Sequence, residues 1–149
     1  MTDRHANPIK LAPRSERRAL TISESMARIR SQNTLPERRV HALVRSLGHQ
    51  FRKNVATLPG TPDLANKRAG WAIQVHGCFW HSHKGCKLAS SPRSNSDYWR
   101  PKLKRNKERD RERQLELRRL GFRIIVVWEC ETRASTRLSS KIVRFFRSL

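Results

Sequence analysis

Residues 75–86 constrain this chain more than any other stretch. They read Val-His-Gly-Cys-Phe-Trp-His-Ser-His-Lys-Gly-Cys, and they hold two of the three cysteines, three of the six histidines and an adjacent Phe-Trp pair. Cys78, His83 and Cys86 are spaced so that one tight loop can bring three soft-to-borderline ligands to a point. A closed tetrahedral zinc site needs a fourth ligand. Cys130 is the remaining cysteine. A Cys3His site would staple the loop to the distant segment that carries Cys130, and thiolate with neutral imidazole suits zinc best. On spacing alone, His81 or His76 can stand in for His83. Four protein ligands leave no open position, so the role expected of this clip is structural.

The remaining chain must supply a scaffold and a partner. At 149 residues it is expected to form one domain around one core. Net charge is +21, from 33 Lys and Arg against 12 Asp and Glu, a balance that favours a polyanionic partner. Charge alone fits a ribosomal-type basic protein as well as an enzyme. No stretch is apolar for long enough to span a membrane or act as a signal peptide, so no membrane partner is expected. Three cysteines without a secretion signal point to a reducing, cytoplasmic compartment.

Residues 1–20 carry Pro8, Pro13 and several cations without sustained periodicity, and read as a mobile basic arm before a single domain over 21–149. Thr21 and Glu24 have capping-box spacing for a short helix to about Arg30. Thr34 and Glu37 repeat it, with Pro36 in the first turn, apolar residues at 40, 43, 44 and 47, and Gly48 as the stop. On this pattern Glu37 is a cap first, and a carboxylate aimed at a nearby site second. Lys67-Arg68-Ala69-Gly70 is a turn. Trp71, Ile73 and Val75 then alternate with Ala72, Gln74 and His76, a strand with one apolar and one polar face. A hairpin centred on Arg68-Ala69 sets Asp63 opposite Gln74 and beside His76.

Ser94 and Asp97 are spaced to cap a long helix to about Leu120. Trp99, Leu103, Asn106, Asp110, Arg113, Leu117 and Leu120 share one face of it, which aims Asp110 inward. Residues 122–128 are β-branched and apolar on both faces, the pattern of a central buried strand. An amphipathic helix with Leu138, Ile142, Val143, Phe145 and Phe146 closes the chain. The order predicts an α/β or α+β sandwich, a mixed sheet flanked by helices.

Pro62-Asp63 with a second strand at this distance resembles the catalytic hairpin of the PD-(D/E)xK nucleases. Gln74-Val75-His76 stands where Glu-x-Lys would, a departure from that pattern. Four blocks make a narrower match. Leu58-Pro-Gly-Thr-Pro-Asp63, His76-Gly-Cys-Phe-Trp-His81-Ser-His83, Glu108-Arg-Asp110 and Val127-Trp-Glu-Cys130 together resemble the very short patch repair endonucleases, in order over most of the chain.

The resemblance implies a restriction-endonuclease-like fold with a structural zinc, and nicking of duplex DNA 5′ to the thymine of a T·G mismatch left by deamination of 5-methylcytosine. It implies Mg²⁺ held by Asp63 and by the backbone carbonyl of Val75, where a Thr is often found. His81 is implied as the group that activates water, Glu37 as an outer residue holding a metal-bound water, and His76 and Asp110 as supporting members. Cys78, His83, Cys86 and Cys130 match the zinc ligands. Phe79, Trp80 and Trp99 match residues that intercalate at the mismatch. A bacterial-type, nucleoid-associated monomer is implied, acting on mismatched double-stranded DNA with downstream repair proteins. The competing expectations are a restriction-like nuclease without mismatch preference and a non-catalytic, zinc-stapled DNA-binding protein.

Overall fold

A computed structural model describes residues 19–29 and 31–149. They fall into two units, one ending at Ser31 and the other running Gln32–Leu149. Residues 1–18 of the expected basic arm lie outside the described residues. In the first unit, helix α1 (Ile22–Ala27) starts on the capping box read from the sequence. Glu24 N donates to Thr21 Oγ1 at 3.2 Å, and Thr21 N donates to Glu24 Oε2 at 2.8 Å. Two donors that helix geometry leaves unpaired are thereby satisfied.

The second unit opens with helix α2 (Leu35–Ser46), capped by the Thr34 hydroxyl. Gly48 ends it at φ +83°, and the His49 N–H returns to the Val44 carbonyl, so a residue without Cβ sits where the chain turns left-handed. Four strands follow: β1 (Arg52–Lys53), β2 (Leu64–Asn66), β3 (Trp71–His76) and β4 (Arg123–Trp128). They lie in the order β1-β2-β3-β4. β1, β2 and β3 pair antiparallel, and β4 joins β3 in parallel. A parallel neighbour requires a long crossover, which helix α3 (Ser96–Arg119) provides. Helix α4 (Ser135–Arg147) returns over the sheet. The architecture is the mixed sheet flanked by helices that the element order predicts.

One face of the sheet packs Leu64, Trp71, Ile73 and Val127 against Val40 and Val44 of α2 and Leu138, Ile142 and Phe145 of α4. The other buries Ala65 and Ala72 under Leu117 of α3, with Val55 and Leu58 from the loop before Asp63. Each large aliphatic side chain removed from water there stabilises the fold by roughly 1.5–3 kcal/mol.

Three sequence expectations change. The polar face of β3 is covered: Gln74 and His76 are buried, because α3 lies over them as well as over Ala72. β4 is an edge strand among the described residues, not a central one, and Ile124, Ile125 and Val126 are half-buried. Its apolar residues on both faces reflect helices above and below, which pattern alone cannot distinguish from two strand neighbours. Helix α3 begins at Ser96 behind a left-handed Asn95 with no side-chain cap, so Ser94 and Asp97 do not form the expected box. Its inward stripe holds through Leu117, while Arg113 and Leu120 are exposed.

Candidate active site

The hairpin register pairs Leu64 with Ile73 and Ala65 with Ala72, so one further step sets Asp63 across from Gln74. Asp63 is locked there by the Val75 N–H, which donates to its Oδ2 at 2.6 Å. Burial raises the Asp63 carboxyl from its ordinary 3.8 to about 6; the Val75 hydrogen bond pulls it down, the charge of Glu37 pushes it up, and His81 pulls it down. Glu37 and His81 thus act on Asp63 from the same neighbourhood, at the carboxyl end of β3. Glu37 is 5% exposed. Its oxygens accept from Asn33 N at 2.7 Å and from the Thr34 hydroxyl at 2.9 Å, so the helix cap and the approach to Asp63 use the same carboxylate.

His81 comes from the turn after β3. Its Nδ1 lies 2.5 Å from Asp110 Oδ2 on α3. Asp110 therefore faces inward and pairs with an imidazole rather than with Arg113 or Lys107 along its own helix. His76 stacks on His81, ring centroids 3.9 Å apart and planes within 11°. Burial, and then the neighbouring His81, lowers the His76 pKa to about 4, so this ring is neutral at pH 7. Asn106, one turn before Asp110, donates to the Trp80 carbonyl at 3.2 Å and ties the turn to α3. Its inward position was legible in the helix stripe; its partner, a backbone oxygen, was not.

One residue separates His81 from His83, yet they serve different clusters. Ser82 between them is left-handed, at φ +52°. The turn is closed by His81 N donating to Gly77 O at 3.2 Å and His83 N to Cys78 O at 2.9 Å. His83 thereby joins Cys78, Cys86 and Cys130, whose ligand atoms all lie within 4.8 Å of one another, while His76 and His81 group with Asp110. His83 Nδ1 is 3.5 Å from Cys78 Sγ and 3.4 Å from Cys130 Sγ. A tetrahedral centre with ordinary zinc–sulfur and zinc–nitrogen bonds separates S from N by about 3.5 Å, so these side chains fit zinc. The Cys130 N–H points at Cys78 Sγ at 3.4 Å, and the His83 ring stacks on Trp128 at 4.1 Å. Burial pushes the Cys78 thiol up to about 12, so it ionises only beside a cation.

Phe79, Trp80 and Trp99 form an aromatic cluster with edge-to-face contacts of 5.1, 5.2 and 6.0 Å between centroids. Phe79 and Trp80 are partly exposed; Trp99 is buried, 8% exposed, as their support. A Cβ on Gly77 would lie 3.1 Å from Trp80 Cδ1, so a larger residue there would push this ring back from the strand end by a few tenths of an ångström.

A desolvated carboxylate, an imidazole held by a second carboxylate and a long basic helix alongside make up the equipment of a nuclease that hydrolyses DNA. A family model described as DNA mismatch endonuclease Vsr matches residues 17–88. The chain is 44% identical over 106 residues to Type II nicking enzyme V.XorIIP of Xanthomonas oryzae pv. oryzae, covering 71% of this chain and 77% of that protein. It is 36% identical over 124 residues to Type II nicking enzyme V.NmeAIP of Neisseria meningitidis serogroup A, covering 83% and 88%. It is 37% identical over 121 residues to DNA mismatch endonuclease Vsr of Escherichia coli, covering 81% and 77%. The chain belongs to the Vsr family of DNA endonucleases. It is therefore a nuclease, a hydrolase acting on DNA, and the reading as a non-catalytic DNA-binding protein is set aside.

Proposed function

We propose that this endonuclease nicks one strand of duplex DNA 5′ to the thymine of a T·G mismatch. The observation that carries the reading is the His81–Asp110 pair in the turn that follows β3, with Asp63 held at the same strand end by the Val75 N–H. Support for mismatch direction comes from the relative named DNA mismatch endonuclease Vsr, and support for single-strand cleavage from those named nicking enzymes. The Asp63 hairpin, with Gln74 across from it, supports a PD-(D/E)xK-like origin for the fold.

The donor set fits a hard divalent cation. Asp63 is a desolvated oxygen ligand whose neighbour Glu37 adds negative charge, and among the described residues neither bonds a compensating side-chain cation. Magnesium held by the Asp63 carboxylate and the Val75 carbonyl would offset negative charge at the phosphate and acidify a water. His81 is placed to accept a proton from the attacking water. Asp110 fixes the imidazole through Nδ1, leaving Nε2 as the free basic atom and stabilising the imidazolium that forms. His76, neutral and stacked, contributes a flat wall rather than a second positive charge. Glu37 holds the outer water side of the site. Cys78, His83, Cys86 and Cys130 would hold a structural zinc and so fix the turn carrying His81.

Phe79 and Trp80, backed by Trp99, are the wedge that enters the base stack. Unstacking costs about a few kcal/mol per step, and less at a mismatch, which stacks poorly. That difference selects the mismatch. Exposed cations of α3, Lys104, Arg105, Lys107 and Arg109 among them, grip the phosphates. The basic residues 1–20 add positive charge suited to the same polyanion. We further read the enzyme as a cytoplasmic monomer; among the described residues no helix is long and apolar enough to cross a membrane.

The test is a panel of matched and mismatched duplexes incubated with Mg²⁺. A nick confined to the thymine strand of T·G duplexes is expected. Equal cleavage of matched DNA would instead favour a restriction-like nuclease without mismatch preference.

A further inference from the structure

Gln74 is the residue the mechanism above leaves without a task, and its side chain is out of place on any other account. It is 5% exposed, yet among the described residues its Oε1 has no hydrogen-bond partner. Leaving a buried acceptor unmet costs about 1–3 kcal/mol, so such atoms are rare unless something else satisfies them. The Gln74 carboxamide sits beside the loop that enters Asp63. Its Nε2 lies 3.2 Å from where a Cβ on Gly60 would stand, and Arg113 Cβ lies 2.9 Å from that same point. That loop in turn packs against Arg113 of helix α3. A leucine or methionine would fill this space with no orphaned oxygen, and the face of β3 around it, Ala72 and Leu117, is apolar.

The hairpin register puts Gln74 across from Asp63, and side chains of residues directly opposite on antiparallel strands share a face with Cβ atoms roughly 4.5–5.5 Å apart. A neutral carboxamide oxygen is a normal ligand for a hard divalent cation. We infer that Gln74 Oε1 is a third protein oxygen of the metal site built on Asp63 and the Val75 carbonyl, and that it sets the affinity of that site. The inference rests on the proposed metal site and goes one residue further. A carboxamide adds a ligand without adding charge, so Asp63 and Glu37 are not joined by a third anion in an already desolvated pocket.

Manganese serves as the probe, because free Mn²⁺ is counted directly by its EPR signal. Zinc-loaded native protein and the Gln74→Leu, Gln74→Glu and Asp63→Ala variants are titrated with Mn²⁺ in the presence of a T·G duplex carrying a non-hydrolysable linkage. Gln74→Leu is expected to weaken Mn²⁺ binding roughly tenfold, within the range seen when supporting ligands are lost. Gln74→Glu is expected to bind at least as tightly as the native protein. Native-like affinity in Gln74→Leu overturns the inference. So does a Gln74→Glu variant as weak as Gln74→Leu, which would make the position one of packing alone, and this comparison stands even if the leucine variant folds poorly. Asp63→Ala separates the two levels: loss of binding there with no change in Gln74→Leu sinks only the role of Gln74, whereas unchanged binding in Asp63→Ala sinks the metal site itself.

Discussion

Burial gives the Asp63 carboxyl a proton affinity it would not have in water, and this has a sign that can be tested. Below about pH 4 the group is protonated in both folded and unfolded chains. Between 3.8 and about 6 it ionises only in the unfolded chain, so stability falls as pH rises through that window. Above about pH 6 the full cost stands, roughly 3 kcal/mol at 1.36 kcal/mol per pH unit. A divalent cation on the ionised carboxylate offsets it. Added Mg²⁺ should therefore raise the melting temperature clearly at pH 7.5 and little at pH 5, and apparent metal affinity should drop about tenfold per unit below pH 6. Thermal melts across pH with and without Mg²⁺ check both; a pH-independent response would contradict a metal at Asp63. His81 depends on Asp110 for its orientation. Asp110→Asn should lower the nicking rate by about 10² with DNA affinity unchanged, read from single-turnover kinetics. These residue types were legible in the sequence as a cluster, and Asp110 was legible as inward from the α3 stripe. That Asp110 meets His81 was not, because nothing local relates a turn to a helix 29 residues on.

At the scale of elements, the turn between β3 and α3 is short of secondary structure and long on ligands. Cys78 follows β3 directly, and Cys130 lies in the 3-10 segment Glu129–Arg133 that ends β4. Zinc would join the ends of two parallel strands, so its loss should be felt as loosening of the turn carrying His81 rather than as unfolding of the sheet. Cys130→Ala or chelation is expected to release one zinc per chain, keep most far-UV ellipticity and abolish nicking; a zinc-free native protein with freely titratable thiols would remove the clip. Gly77→Ala pushes on Trp80 and should weaken discrimination of T·G from matched duplex more than it weakens binding to matched DNA, a comparison made by competition binding. The hairpin, its centre and α2 were readable from capping and period-2 signals, which are local. The position of β4 in the sheet was not, since apolar faces report cover and not strand neighbours. The left-handed Ser82 that parts His81 from His83 left no signal either, as serine gives no warning of a positive φ.

Across the whole molecule, charge and chemistry occupy different parts of one design. A net charge of +21 suits duplex DNA of any sequence, and on the proposed reading the aromatic cluster and hairpin decide where the backbone is cut. Binding to matched duplex should fall steeply between 50 and 200 mM salt, by roughly 10³-fold or more if six or more phosphates are engaged. A shallow salt slope would mean that the exposed cations of α3 do not grip the phosphates. Charge was the property most legible from the sequence and the least specific, because it suits any polyanion. The nuclease reading needed the order of separated blocks, and only folding shows that those blocks meet at one end of β3. The most direct measurement of that meeting is nicking of a T·G duplex under single-turnover conditions by Asp63→Ala and His81→Ala, with binding of the same duplex followed in parallel. Binding within about threefold of native and nicking lowered by roughly 10²–10⁴ or more in each variant is the predicted result. Native-rate nicking by either variant would contradict it.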